Sequence, residues 1–175
     1  MRKINFFIIL IITSVLFSGN LFCQDKWSVE DLLISISNED ITLVTKLYES
    51  DPGYFRVCAR GCLPAAVEIG TVSIARYLID KGADVNYVNS NDETPLNIAA
   101  EWADYEMIEL LCQKGANDKP DGQLWGKSKT TLISIQLVFE KRNMSAGTKE
   151  RHGVRRTIRY GDIKKSLEII NKYLY

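Results

Sequence analysis

Apolar residues first gather in one run, Ile4 to Phe17, broken only by Asn5, Thr13 and Ser14, and afterwards recur at the spacing of helices. Ser28–Ile36 and Asp40–Tyr48 read as a helix pair. Ile74, Tyr77 and Leu78 form an apolar face at three- and four-residue spacing, and so do Met107, Ile108, Leu110 and Leu111. Gly82 and Gly115 stand where such helices would end in a left-handed residue. The polar Asn86–Glu93 stretch predicts a hairpin-like turn. Further on, 131–142 and Gly161–Leu174 predict a second pair, the latter amphipathic. Between them Asn143–Gly153 is polar with two glycines, which predicts an insertion or mobile loop.

The first apolar run differs from the rest. Met1-Arg2-Lys3 precedes it and no further charge follows until Asp25. A cationic start and an apolar run of roughly 7–15 residues is the layout of a secretory signal peptide, and the run is short for a bilayer span, which takes about 20 residues. A cut near Cys23/Gln24 gives a leader over 1–23. Two other readings stand beside it: lipid on Cys23, although Phe22 departs from the lipobox pattern, and an uncleaved anchor. The expectation is export to the periplasm or beyond the cell, and a bacterial origin fits this leader.

Aligned with itself at a shift of 33 residues, the chain matches. Ala66-Val67-Glu68-Ile69-Gly70 through Lys81-Gly82-Ala83-Asp84 lies over Ala99-Ala100-Glu101-Trp102-Ala103 through Lys114-Gly115-Ala116-Asn117. Thr94-Pro95-Leu96-Asn97-Ile98-Ala99-Ala100 opens the second copy, and Lys81-Gly82-Ala83-Asp84-Val85-Asn86 closes the first. These residues resemble the ankyrin repeat, whose helix pair opens on T-P-L-H-x-A-A and ends on G-A-D-V-N, with Asn97 in the usual His place. Thr94 is suited to cap a helix with proline at its first position, and the alanine pair lets two helices approach closely. The flanks read as degenerate copies: Asn38-Glu39-Asp40 stands at the usual Gly corner, Asp51-Pro52-Gly53 ends a first unit, and Thr130-Thr131-Leu132 echoes a repeat start. The resemblance implies an all-α ankyrin solenoid over 24–175, of about four units at 27–53, 56–88, 89–118 and 119–175, the last an irregular cap with an insertion at 143–153. One unit cannot bury its own apolar face, so the stack should fold as one block.

Length and composition fit this picture: 175 residues, 46% hydrophobic, enough for one domain or two small ones. The net charge is zero, but its distribution is not even. Residues 25–120 carry 17 acids and 8 bases, hence −9, while 121–175 carry 5 acids and 12 bases, hence +7. Lys141, Arg142, Lys149, Arg151, Arg155, Arg156, Arg159, Lys164 and Lys165 make the basic part. They either bind an acidic partner or lipid head groups, or pair with the acidic body or merely aid solubility. Nucleic acid, the usual partner of such a cluster, conflicts with export.

The sequence holds no G-x-S-x-G, no Gly-rich phosphate loop and no H-E-x-x-H, and its one histidine, His152, sits in the polar loop. No catalytic residue, metal site or cofactor is expected. Cys58, Cys62 and Cys112 read as small buried hydrophobes, and export leaves a disulfide open. The ankyrin resemblance instead implies a binding module that meets a protein partner through finger tips and inner helices. Mapped onto this chain, those positions are Tyr87, Ser90, Asn91 and Glu93 on the finger, with Glu68, Ile69, Glu101 and Trp102 on inner helices. Trp102 falls at a position that usually faces solvent, and exposed tryptophan is enriched in binding hot spots; the other reading packs it on a neighbouring unit. Trp125, in the Asp121–Lys129 loop, is a further candidate. The expected function is non-enzymatic protein binding by a monomer, with membrane contact only through a retained leader or lipid on Cys23. An envelope-tethered accessory factor and an immunity-like inhibitor of a secreted toxin or enzyme are the alternatives.

Overall fold

Local capping chemistry sets where the helices begin. In the computed structural model, which describes residues 27–117, 127–151 and 153–174, Ser28 and Asp31 form a reciprocal box at the head of α1 (Val29–Ser37). The Asp40 carboxylate accepts the Leu43 N–H at 3.0 Å to start α2 (Ile41–Ser50). Asp51 accepts the Tyr54 N–H at 2.9 Å to start α3 (Pro52–Ile69). Each oxygen satisfies a first-turn donor that the helix itself leaves unpaired. Gly70, in the left-handed region at φ 91°, ends α3, and α4 (Val72–Asp80) follows at once. Thr94 and Asn97 make a second reciprocal box at α5 (Pro95–Trp102), and Asp104 caps α6 (Tyr105–Gln113). The chain closes with α7 (Lys127–Lys141), the strands β1 (Ala146–Arg151) and β2 (Val154–Arg159), and α8 (Tyr160–Leu174).

The helices pair as α1/α2, α3/α4, α5/α6 and α7/α8, and the pairs stack. Inner helices α1, α3, α5 and α7 pack each on the next, with α2, α4, α6 and α8 behind them. The inner row approaches closely because Ala66, Ala99 and Ala100 present no bulk and have no exposed surface. Between the rows lies one continuous apolar core that includes Leu32, Ile36, Phe55, Leu63, Ile74, Leu78, Leu96, Met107, Ile108, Leu111, Leu132, Ile163 and Ile170. Trp27 closes its N-terminal end, edge-on to Tyr54 at 4.8 Å and Phe55 at 5.9 Å between ring centroids. Polar bonds also link units. The Asn97 side-chain amide donates to Ser128 Oγ at 2.8 Å, and Asn86 Oδ1 accepts the Asn117 N–H at 2.7 Å. Among the described residues no helix is long and apolar enough to cross a membrane.

Two features depart from the sequence expectations. Asp51 closes the first unit, but Pro52 and Gly53 already belong to the second. Asp51 serves as the last cap of α2 and the first of α3, so the second unit's inner helix begins at Pro52 and runs 18 residues. The stretch 143–153 is not a loop but leads into β1, which pairs antiparallel with β2 from Ala146↔Arg159 to Arg151↔Val154. Gly153 takes φ 80° in the turn. The fold is therefore helical with one two-stranded hairpin, set between the two helices of the last unit. Cys58, Cys62 and Cys112, read as small buried hydrophobes, are buried thiols. Burial, with the nearby Cys58, pushes the Cys62 thiol up to about 12, so it stays protonated and unreactive. The leader over 1–23, the loop position Trp125 and His152 lie outside the described residues.

Candidate protein-interaction surface

The 33-residue register stacks Glu68 at the end of α3 beside Glu101 near the end of α5. Glu93, where the finger meets α5, and Asp104, the cap of α6, complete an acidic inner surface around the Trp102 ring. Strand periodicity brings the complementary charge. Residues alternate across a hairpin, and here Lys149, Arg151 and Arg156 point at the inner helices while Thr148, Glu150, Arg155, Thr157 and Arg159 point to solvent.

Arg151 is the centre of the contact. Its Nη1 donates to Glu101 Oε2 at 2.9 Å, its Nη2 to Glu93, and its Nε lies 3.5 Å from Glu68 Oε1, so three carboxylates from three segments meet one guanidinium. Its side chain is only 13% exposed. Lys149 Nζ donates to Glu101 Oε2 at 2.8 Å, and Arg156 donates to Asp104. Both cations also lie over the Trp102 ring, Lys149 Nζ at 5.6 Å and Arg156 Cζ at 5.3 Å from its centroid. Burial drives the Glu101 carboxyl up, but the hydrogen bond from Lys149 and the charges of Lys149 and Arg151 outweigh it and hold it below the ordinary value of 4.5. Burial likewise opposes the charge on Arg151, and the hydrogen bond to Glu93 with the charges of Glu101 and Glu68 reverses that and raises its pKa.

The hairpin thus divides the residues predicted to meet a partner. Ser90 and Asn91 stand exposed at the finger tip, with Tyr87 half-buried beside them. The finger is held in shape by Asn89, whose side-chain oxygen accepts the N–H groups of Asn91 at 2.9 Å and Glu93 at 3.0 Å. Glu68, Glu93 and Glu101 lie under the hairpin, and Ile69 is half-buried against the core. Trp102 is 2% exposed, which corrects the expectation of a solvent-facing ring: it belongs to the buried core, and the chain's own Lys149 and Arg156 lie over its ring. Of the two readings of the basic segment, the pairing with the acidic body describes Lys149, Arg151 and Arg156. Lys141, Arg142, Arg159, Lys164 and Lys165 remain exposed. Two further contacts escaped sequence reasoning. Gly70 lies under the Arg156 guanidinium so closely that a Cβ would sit 2.8 Å from Cζ. Asn97, expected only as a His substitute, bridges two units. Among the described residues no group of three or more His, Cys, Asp or Glu is placed to hold a metal ion.

Four stacked helix pairs, the middle two in a 33-residue register, with corner residues between the helices and a finger between the middle units, define a helical-repeat solenoid. The chain belongs to the ankyrin-repeat family: a family model of ankyrin repeats in three copies matches residues 32–120, half of the chain. It is 41% identical over 59 residues to an ankyrin repeat-containing protein of Treponema pallidum, covering 34% of this chain and 20% of that one. It is 46% identical over 57 residues to ankyrin repeat domain-containing protein 17 of Mus musculus, covering 31% of this chain and 2% of that one. An ankyrin repeat protein of fowlpox virus is 31% identical over 64 residues, 35% of this chain and 19% of its own. The chain therefore spans a fifth or less of these relatives, and no solved structure matches it. The hairpin lies beyond the matched repeats. The ankyrin repeats indicate a protein–protein interaction module.

Proposed function

We propose that this protein is an exported, non-enzymatic binding module that engages its protein partner as a monomer, in the periplasm or outside the cell. The observation that carries the reading is the ankyrin stack presenting a preformed finger whose tip, Ser90 and Asn91 with Tyr87 beside them, is left open while its base is tied down. Asn89 fixes the loop before any partner arrives, and a preformed loop pays less ordering entropy on binding. Export is supported by the cationic, apolar leader and argues against a nucleic-acid partner.

The test uses the purified full chain as bait in envelope extract, beside a Tyr87→Ala/Asn91→Ala variant. Loss of the captured protein with an unchanged thermal melt supports the finger as the contact; equal capture by both overturns it. Mass spectrometry of the N-terminus addresses export. A chain starting near Gln24 is the expected result, a fatty-acyl mass on Cys23 marks the tethered form instead, and an intact Met1 in a cytoplasmic fraction overturns both.

A further inference from the structure

The inner surface of this stack carries a ligand already, and that ligand is part of the chain. Its chemistry is specific. Three carboxylates from α3, the finger and α5 converge on the fork of Arg151, a geometry that suits a planar guanidinium with several fixed donors. A second guanidinium, that of Arg156, lies over the Trp102 ring and donates to Asp104. The surface is also shaped for it, since Gly70 lacks the Cβ that would strike Arg156. Two arginine subsites therefore lie side by side on an acidic body of −9.

The hold on this ligand is polar. Ile158 anchors the base of the hairpin, 4% exposed, and between it and the turn the described residues of both strands offer one apolar side chain, half-buried Val154. The strands themselves give up little apolar surface when the tip lifts, and the Trp102 face bared beneath Lys149 and Arg156 is covered again by an incoming cation. Lifting the tip exchanges ion pairs, and an incoming segment of the same chemistry restores them.

We propose that Glu68, Glu93, Glu101, Asp104 and the face of Trp102 form a recognition groove for an extended, arginine-bearing basic segment of a partner protein, with the hairpin 146–159 as its resident occupant. The proposal rests on the binding-module reading and adds the partner's chemistry. A tethered occupant competes at a high effective concentration, so the groove's apparent affinity for an outside segment is reduced by the fraction of time it stands open. Weakening the resident contacts tightens binding of the outside segment.

The probe is a fluorescent synthetic peptide of residues 144–161 of this chain, titrated by anisotropy against the full-length protein. Wild type binds it weakly, and Arg151→Ala/Arg156→Ala binds it at least about tenfold more tightly. The gain vanishes when Glu93→Gln and Glu101→Gln are added, when the peptide carries Gln for Arg151 and Arg156, and at high salt. Arg151→Lys keeps the charge but loses the fork, and it gives an intermediate gain with an unchanged melt even if the double alanine variant does not fold. A folded double alanine variant, or a folded Arg151→Lys, that binds the peptide no more tightly than wild type overturns the proposal and makes the hairpin a permanent brace. Capture through the finger is scored separately, so the groove can fail while the binding module stands, and the reverse.

Discussion

The two middle units and the last unit solve the same packing problem with different forces. In the middle, α3 to α6 are joined by a dry interior in which Leu63, Leu78, Leu96, Met107 and Leu111 have essentially no exposed surface. The last unit shares that interior through Leu132, Ile163 and Ile170, but its hairpin reaches back across the stack and is held there by Lys149, Arg151 and Arg156. Apolar contact is indifferent to partner and scales with area. Ion pairs around one guanidinium are selective, sensitive to pH and salt, and replaceable by another arginine. A single chain can thus keep a rigid scaffold and a releasable strap.

The largest effect should come from the dry half. Leu96 is fully buried where α5 meets its neighbours, and Leu96→Ala removes several contacts and leaves a cavity, at a cost of about 2–5 kcal/mol. Stability is shared by the whole stack, so urea unfolding should shift as one transition, seen alike by far-UV CD and by tryptophan fluorescence. Two separated transitions would show that the units do not form one cooperative block.

Gly70 and Gly115 offer a cleaner cut between the regions. Both sit in the left-handed region, at φ 91° and 89°, so alanine costs each about 1–2 kcal/mol of backbone strain. Around Gly115 there is open space, whereas at Gly70 the new methyl meets Arg156. Gly70→Ala should therefore lower the melting temperature as Gly115→Ala does and, in addition, speed hydrogen exchange across β1 and β2. Equal exchange in the two variants would place Arg156 off the groove.

Acid should loosen the strap before it touches the stack. The Glu101 carboxyl is held below its ordinary value of 4.5 in the folded chain. A group whose folded pKa is depressed contributes stability above the unfolded value and loses it as pH falls through the folded one. Hairpin protection in hydrogen exchange should thus be full at neutral pH and fall as pH drops below 4.5, with helical CD retained. Glu101→Gln should show weaker protection at neutral pH and a shallower fall. Glu68, Glu93, Lys149 and Arg151 surround the same site, so wild type and variant are compared at each pH.

How far these regions were readable beforehand follows the same division. The 33-residue period, the Thr94-Pro95 start and the alanine pair announced the middle units because their constraints are local or repeat in register. The long α3 was hidden by an ambiguity: Asp51-Pro52 ends one helix and begins the next, and proline is welcome at a first helical position. The hairpin was unreadable for a deeper reason. A strand is usually betrayed by alternation of apolar and polar residues, but the face of this one that turns inward carries Lys149, Arg151 and Arg156, because what it covers is acidic. Both faces read as polar, so the stretch looked like a loop, and Trp102, which it covers, looked like a residue open to solvent. Only the strand-forming Thr148, Val154, Thr157 and Ile158 on either side of Gly153 hinted at it.

The smallest predicted effect concerns the corners between paired helices. Gly70, with the left-handed geometry a corner requires, has its repeat equivalent in Ala103 at φ 51°, and Glu39 takes φ 56° at the corner of the first unit. Both side chains pay for a conformation glycine adopts freely, about 1–2 kcal/mol, against which glycine loses about 0.4–1 kcal/mol by loosening the unfolded chain. What remains depends on the methyl or methylenes given up. Ala103 is 1% exposed, so removing its Cβ forfeits about 0.8 kcal/mol of burial and leaves Ala103→Gly near neutral. Glu39 is exposed, so Glu39→Gly gives up nothing comparable and should stabilise the chain by about 0.5 kcal/mol. Urea denaturation of the pair with a common slope resolves the difference; a Glu39→Gly variant less stable than Ala103→Gly would mean that the Glu39 side chain makes a contact worth more than its strain.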